Sequence, residues 1–142
     1  MAKVSRAARV ASRQRVETIS ADKTIQKAET GELYLINASS AGNFTITLPA
    51  AQEGAYFTFL LSHNSNAAAE VLIDSAVSTG IRGNTFVQAS GTGNVTKAHH
   101  ANQKLGFGDA AKRGDIIELV SDGTHWYLLQ AEASVTFVTT FS

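Results

Sequence analysis

The chain contains no cysteine, so it can form no disulfide, thiolate nucleophile or thiolate metal site. It has a single proline, and no apolar run approaches the length of a membrane span. Charged residues make up only 17% of its 142 residues, whereas hydrophobic residues make up 44%. This composition argues against disorder and indicates a single domain that is long enough to bury a core.

Positive charge is concentrated at the N-terminus, although the formal net charge of the chain is zero. Residues 1–16 hold five of the 12 basic residues and none of the 12 acidic ones. The five cations are Lys3, Arg6, Arg9, Arg13 and Arg15. This asymmetry predicts a basic docking arm at residues 1–16, extended or short-helical, on an acidic body at residues 17–142.

The arm is rich in arginine and free of acid, as transit peptides are. It does not resemble a secretory signal, because its charges interrupt any apolar core. In a helix, Arg6, Arg9 and Arg13 would share one face. We expect this arm to dock on a partner, with the cations supplying attraction and the Val and Ala residues between them supplying apolar surface.

The strongest local signal is Asp122-Gly123, which stands between two β-rich runs. Asp-Gly tolerates the positive φ angles of a type I′ turn. The pattern therefore predicts a tight β-hairpin that the remaining strands cover. Trp126 and Tyr127 could form a sugar-stacking platform, but adjacent strand residues point to opposite faces, so at most one of them is exposed. We expect Trp126 in the core, because aromatic side chains bury the most apolar surface.

Short β-prone runs recur about every ten residues with turn signals between them. The run at residues 43–48 alternates strictly, and the run at 56–62 is apolar on both faces, as a central strand would be. Residues 24–27 are expected to pair with the strand at residues 15–20. The spacing predicts an all-β single domain, either a β-sandwich or a jelly-roll-like fold. The sequence shows no close repeat, so we do not predict a solenoid.

Two further stretches stand out near the C-terminus. Residues 89–115 contain several glycines and are predicted to be the irregular part of the chain. Residues 135–141 form an uncharged, β-prone tail, which would be an aggregation hazard if it were left uncovered. We therefore expect the tail to be paired, and we place Val135, Phe137 and Phe141 at an oligomer interface.

Histidines are the most tempting metal ligands in the chain, but their pattern is loose. His99 and His100 are adjacent, so on a strand they would point to opposite faces. No His-x-His or His-Glu-x-x-His string is present. We interpret these two residues, with His63 and His125, as exposed loop histidines.

No constellation of catalytic residues is visible in the sequence. Glu70 and Asp74 are interpreted as solubilising charges at the ends of a strand, and Arg113-Gly114-Asp115 as a turn that opens the strand at Ile116. We expect no enzymatic activity, no cofactor and no bound transition metal.

Several short motifs follow one another in order over residues 31–130. They are Thr47-Leu48-Pro49-Ala50-Ala51, Gly54, Phe57-Thr58-Phe59, Val71-Leu72-Ile73-Asp74, Ile81-x-Gly83 and Val120-Ser121-Asp122-Gly123-Thr124-His125-Trp126-Tyr127. This order resembles small β-rich structural proteins of tailed bacteriophages, which include capsid decoration (cement) proteins and domains of tail fibres and spikes. A stand-alone chain of this size, without a fibrous repeat, looks most like a decoration protein.

The resemblance implies a β-sandwich or jelly-roll body, a homotrimer and no catalysis. Its implied partner is the major capsid protein of a phage shell. The chain would bind the outside of the virion and stabilise the shell by mass action.

The alternative is a tail-fibre, receptor-binding or sugar-binding module, which would need an exposed aromatic groove near residues 89–110. A small cupin-like enzyme would need three converging histidines. No membrane partner is expected, and the acidic body argues against nucleic acid, because it would repel phosphates.

Overall fold

The computed structural model describes residues 14–39, 42–65, 69–88, 94–134 and 137–141. Within these ranges the chain forms eleven strands and one turn of 3-10 helix at Lys27–Glu29. The strands are β1 Val16–Ile19, β2 Lys23–Thr24, β3 Leu33–Ile36, β4 Phe44–Thr47, β5 Tyr56–Leu61, β6 Val71–Asp74, β7 Ile81–Gln88, β8 Val95–Asn102, β9 Lys104–Phe107, β10 Ile116–Ser121 and β11 Trp126–Ala133. The all-β prediction is confirmed. Among the described residues, no helix has the length and apolar character to cross a bilayer.

The strands form two sheets around one apolar core. The seven-stranded sheet has the order β1-β3-β5-β10-β11-β7-β8, and the four-stranded sheet has the order β2-β4-β6-β9. Alternate residues of both sheets contribute to the core, whose largest fully buried side chains include Trp126, Tyr34, Phe57, Phe59 and Phe107. The architecture is the predicted β-sandwich.

The first six strands alternate between the two sheets. β1, β3 and β5 are parallel neighbours in the larger sheet, and β2, β4 and β6 are parallel neighbours in the smaller one. Parallel strands require a long crossover, and here each crossover contains a strand of the opposite sheet. Val16 is paired with Leu33, and Leu33 with Thr58, so successive turns of the chain differ in length. Unequal turns explain why the sequence shows no repeat.

The β10–β11 hairpin lies in the middle of the larger sheet, with β5 on one side and β7 on the other. Its turn is not the predicted type I′ turn. Gly123 has a φ of 95°, but Asp122 is not among the described residues with positive φ. Instead, Asp122 Oδ1 accepts hydrogen bonds of 2.8 Å from the N–H groups of Thr124 and His125. The connection is therefore a four-residue loop closed by an aspartate side chain.

The prediction that residues 89–115 are irregular is wrong, because they contain β8 and β9. β8 is an edge strand with mostly exposed residues, so it has no apolar alternation that would reveal it. Gly106 lies within β9 opposite Leu72 of β6, where it allows close approach of the two backbones. The sequence pattern marks this glycine as a strand breaker, but it lies inside a strand, where its lack of a side chain lets the backbones of β6 and β9 pack closely.

The expected partner of the strand at residues 24–27 is also wrong. Lys23–Thr24 pairs with β4 in the smaller sheet rather than with β1. The Thr45 N–H donates a 2.7 Å hydrogen bond to Asp22 Oδ1, which ties the preceding turn to that sheet. Residues 27–29 leave the strand conformation and form the 3-10 turn.

Candidate protein-interaction face and acidic cluster

The outer face of the seven-stranded sheet carries large exposed apolar side chains. They include Val16 (56%), Tyr56 (51%), Phe86 (41%), Tyr127 (37%) and Leu129 (67%). Half-buried aliphatic residues lie between them on the same face: Leu33, Leu35, Leu60, Ile116 and Val120. We call this set of ten residues the outer face. Extended apolar surface of this kind is typical of a contact with another protein.

Strand register joins part of the outer face into a continuous strip. Leu35 is paired with Leu60, and Leu60 is paired with Ile116, so the three side chains lie next to one another across three strands. Acids border the strip: exposed Glu132 is paired with Ile116 at its end, and Glu118 accepts a 3.2 Å hydrogen bond from Thr58 Oγ1. A strip of aliphatic side chains with few charges can be covered by a partner at little desolvation cost.

A β-bulge in β11 produces the most exposed residue of the outer face. Glu118 is paired with Gln130 and Leu119 with Leu128, so Leu129 has no residue opposite it in β10. The extra residue leaves Leu129 outside the core, whereas Leu128 packs against the core. Bulges frequently redirect a side chain towards a functional surface.

The predicted docking arm is largely outside the described residues, which begin at residue 14. Lys3, Arg6, Arg9 and Arg13 therefore have no described position. The Arg15 side chain is 69% exposed, and its Nη1 lies 3.4 Å from Glu32 Oε1. The Arg15 carbonyl accepts a hydrogen bond from the Leu33 N–H, so this residue lies beside β3 at the edge of the larger sheet.

The predicted oligomer residues have different surroundings. Val135 lies outside the described residues. Phe137 is only 6% exposed and packs on Phe107 in the chain's own core, with ring centroids 6.1 Å apart. Val138 pairs with Gly106 of β9, so this part of the tail finds its partner strand within the same chain. Phe141, which is 40% exposed, has apolar surface available for another copy.

The histidines do not converge as a metal site among the described residues. His99 and His100 lie on strand β8 rather than in a loop, which corrects that interpretation. His100 Nε2 lies 2.9 Å from Thr85 Oγ1, whereas His99 Nδ1 lies 3.3 Å from Asn84 Oδ1. Burial, together with the neighbouring His99, lowers the pKa of His100.

A cluster of carboxylates, which sequence reasoning missed, forms at one edge of the sandwich. One oxygen from each of Glu17, Glu29 and Glu32 lies within 4.8 Å of the others. Glu17 is on β1, Glu29 is in the 3-10 turn and Glu32 precedes β3. We call these three residues the acidic cluster. Its members are up to 15 positions apart in the sequence, and only the parallel pairing of β1 with β3 brings them together.

Lys23 is bound within the acidic cluster. Its Nζ donates to both carboxylate oxygens of Glu17 at 2.9 and 3.0 Å, and to Glu29 Oε1 at 3.0 Å. Partial burial opposes protonation of Lys23, but the hydrogen bonds to Glu17 and Glu29 outweigh it and raise the pKa of Lys23. Burial likewise opposes ionisation of Glu29, but the Gln26 N–H and Lys23 lower its pKa.

Two other sequence interpretations have different outcomes. Glu70 is only 3% exposed, so it is not a solubilising charge, because the strand that it precedes is buried on both faces. Arg113-Gly114-Asp115 is the predicted turn, with a φ of 99° at Gly114. Asp115 is buried there, and its Oδ1 accepts hydrogen bonds from the N–H and the hydroxyl of Ser134.

Comparison with known proteins identifies no relative: no protein-family model and no curated protein matches this chain. The outer face and the acidic cluster are therefore interpreted from their own geometry.

Proposed function

We propose that this protein is a virion structural protein that binds the outside of an assembled phage capsid and stabilises it. The observation that carries the proposal is the outer face, where apolar side chains span most of the seven-stranded sheet. The ordered motifs that resemble phage structural proteins supply the type of partner. The partner is the major capsid protein of the shell.

Binding by the outer face would favour an assembled shell over free subunits. A broad sheet face can contact adjacent shell subunits at the same time, and contacts that exist only in the shell stabilise it by mass action. In a trimer, the second and third contacts would gain from effective concentration. The five cations of residues 1–16 would add salt-dependent attraction to an acidic shell surface.

The experiment is co-sedimentation of the purified full chain with emptied, undecorated shells of the phage that carries it. We expect saturable binding and a shell that resists heat or chemical disruption better when it is decorated. Leu129→Glu should weaken binding at least about tenfold, because it places a charge at the centre of an apolar contact. The matched control is Val77→Glu, since Val77 is 54% exposed but lies in the turn between β6 and β7.

The arm is tested separately in the same assay. Replacing Arg6, Arg9 and Arg13 together with Gln should weaken binding and reduce its salt dependence while leaving the melting of the body nearly unchanged. Equal binding by the parent, the Leu129→Glu variant and the triple-Gln variant would contradict the proposed docking mode. Failure of the parent chain to bind shells would contradict the function itself.

One observation favours a receptor-binding or sugar-binding tail module as a second candidate. Val120 is paired with Tyr56 on one side and Tyr127 on the other, so two exposed rings flank it on the outer face. Arg82 is the next residue in this row. Aromatic rings beside a cation can stack on a saccharide. Saturable binding of host surface glycan that Tyr127→Ala abolishes, without binding to shells, would favour this candidate.

A further inference from the structure

We propose that β8 is an acid-sensitive strand, held on β7 by the neutral ring of His100 and loosened when that ring takes up a proton. The inference is independent of the capsid proposal, because it concerns the edge of the larger sheet and not the partner of the outer face. It rests on the hydrogen bonds of His100, on the charges around its ring and on the position of β8 in the sheet.

The hydrogen bonds of His100 require a neutral ring. The amide nitrogen of Asn102 lies 3.2 Å from His100 Nδ1. An amide nitrogen can only donate, so Nδ1 must accept and carries no proton. The proton of the neutral ring is therefore on Nε2, which lies 2.9 Å from Thr85 Oγ1 and donates to it. This tautomer satisfies both ring nitrogens and gives a partner to the hydroxyl of Thr85, a residue that is only 1% exposed.

Protonation of His100 is incompatible with this arrangement. Both ring nitrogens of the charged form are donors, so the proton on Nδ1 would face the N–H groups of the Asn102 amide. Relief requires the ring or the amide to turn away. If the ring turns, the buried hydroxyl of Thr85 loses the partner that β8 supplies, and a buried polar group without a partner is costly. Proton uptake therefore works against the contact between β7 and β8.

The surroundings of His100 do not compensate a positive charge. The ring is on the same side of the β7–β8 ribbon as Thr85, whereas the other charged or titratable groups of β7, β8 and the neighbouring β11 alternate to the outward side: Arg82, Lys97, His99 and Glu132. The charged side chains of β6 and β9, Asp74 and Lys104, pair with each other at 3.4 Å. An imidazolium at His100 would thus have no acidic partner on these strands. Burial, together with the neighbouring His99, accordingly lowers the pKa of His100.

The position of β8 allows it to respond to proton uptake. It is the last strand of the larger sheet, and within the described part of the chain it pairs with β7 alone. Its residues 95–99 are all exposed, and only His100 and Asn102 are half-buried. The network that protonation disturbs is therefore also the main side-chain attachment of β8. Segments with few buried side chains open at a lower cost in free energy than core strands do.

The sign of the pH dependence follows from the lowered pKa of His100 in the paired strand. The released strand binds a proton at an ordinary histidine pKa of about 6.5, whereas the paired strand binds it only at lower pH. The pairing of β8 is thus most stable above about pH 6.5 and weakens as the pH falls towards the lower, folded-state pKa. In that window the open fraction should rise by up to about tenfold per pH unit.

The test is amide hydrogen exchange of the full chain, followed residue by residue by NMR and corrected for the intrinsic effect of pH on exchange. Between about pH 7.5 and about pH 5, we expect protection of the β8 amides to fall about tenfold. The amides of β10, in the middle of the same sheet, should keep their protection. The ring resonances of His100 should titrate over the range in which β8 loses protection.

His100→Gln removes the titrating ring and keeps a side chain that can form a hydrogen bond with Thr85. In this variant β8 should be equally protected at the two pH values. The matched control is His63→Gln, at an exposed position after β5, which should lose protection in β8 as the parent does. Undiminished protection of β8 at about pH 5 in the parent would overturn the proposal. A loss of the same size in His100→Gln would also overturn it, since another group would then be responsible.

Discussion

Trp126 and Tyr127 are consecutive residues with opposite surroundings. Trp126 is 2% exposed and packs against Phe57 with ring centroids 5.5 Å apart, whereas Tyr127 lies on the outer face. The pleat of β11 alone separates them, because neighbouring side chains on a strand point to opposite faces. The pair therefore allows core packing and surface binding to be tested at adjacent positions.

Trp126→Ala should lower the free energy of unfolding by about 3–5 kcal/mol, because it removes a large buried side chain and leaves a cavity. Chemical denaturation measures the change. Tyr127→Ala is the control and should cost much less, since its ring is partly in solvent. A Trp126→Ala variant as stable as the parent would show that the indole does not support the core.

Asp74, at the end of β6, makes stability dependent on pH. Its Oδ1 accepts hydrogen bonds from the Ala76 N–H at 2.7 Å and from the Gln103 amide at 3.0 Å, and Lys104 Nζ lies 3.4 Å from Oδ2. Partial burial acts to raise its pKa, but these donors outweigh burial and hold the pKa of Asp74 below its usual 3.8.

A lowered pKa in the folded state means that the ionised carboxylate stabilises the fold above the pKa of the unfolded chain. This contribution is lost as the pH falls through the lower, folded-state pKa. We therefore expect Asp74→Asn to be less stable than the parent at pH 7, and the difference to shrink below about pH 4. Denaturation at a series of pH values measures it. Asp109→Asn, at an exposed position, is the control for removing a carboxylate, and a pH-independent difference for Asp74→Asn would refute this account.

At the scale of elements, the pairing of β6 with β9 depends on one glycine. A Cβ at Gly106 would lie 1.8 Å from the carbonyl oxygen of Val71 and 2.8 Å from Leu72 Cα. Backbone atoms cannot move aside as the end of a long side chain can. The same strand also holds the tail, because Gly106 and Val138 exchange backbone hydrogen bonds of 2.8 and 3.0 Å.

Gly106→Ala should therefore separate two strands and lower the free energy of unfolding by about 3 kcal/mol or more, at the upper end for overpacking. Thermal or chemical denaturation detects the loss. Gly42→Ala is the matched control, since a Cβ there meets no atom within 4 Å and should be tolerated. Similar stability of the two variants would mean that β6 and β9 tolerate a wider separation.

At the scale of the whole molecule, the sandwich has three surfaces with different chemistry: the apolar outer face, the acidic edge beside β1 and the exposed end of the tail. Phe141 lies in this last region beside Leu72 and Lys104.

We expect a homotrimer or higher oligomer to form through the tail. Light scattering at micromolar concentration measures the mass, and Phe141→Asp should shift the protein towards monomer, whereas Val77→Asp should not. A parent chain that remains monomeric would contradict this expectation.

Part of this architecture follows from local sequence pattern alone. Alternation in Phe44, Ile46 and Leu48 determined which side of β4 is buried, because the side-chain period of a strand is two. The Asp-Gly step located the central hairpin, and adjacency placed Trp126 inside. These features depend on neighbouring residues, so they are visible without knowledge of the fold.

Tertiary structure alone decided the rest. The edge position of β8 removed the apolar alternation that would have revealed it, and the opposite sheet supplied the crossovers for the parallel strands. The register of β1 with β3 brought Glu17 towards Glu32 and Tyr34, and the 3-10 turn added Glu29. The sequence determined the strands and the inward side of many of them, since that is a local property. Which strands become neighbours, and hence which side chains form a site, depends on long-range pairing that no local pattern encodes.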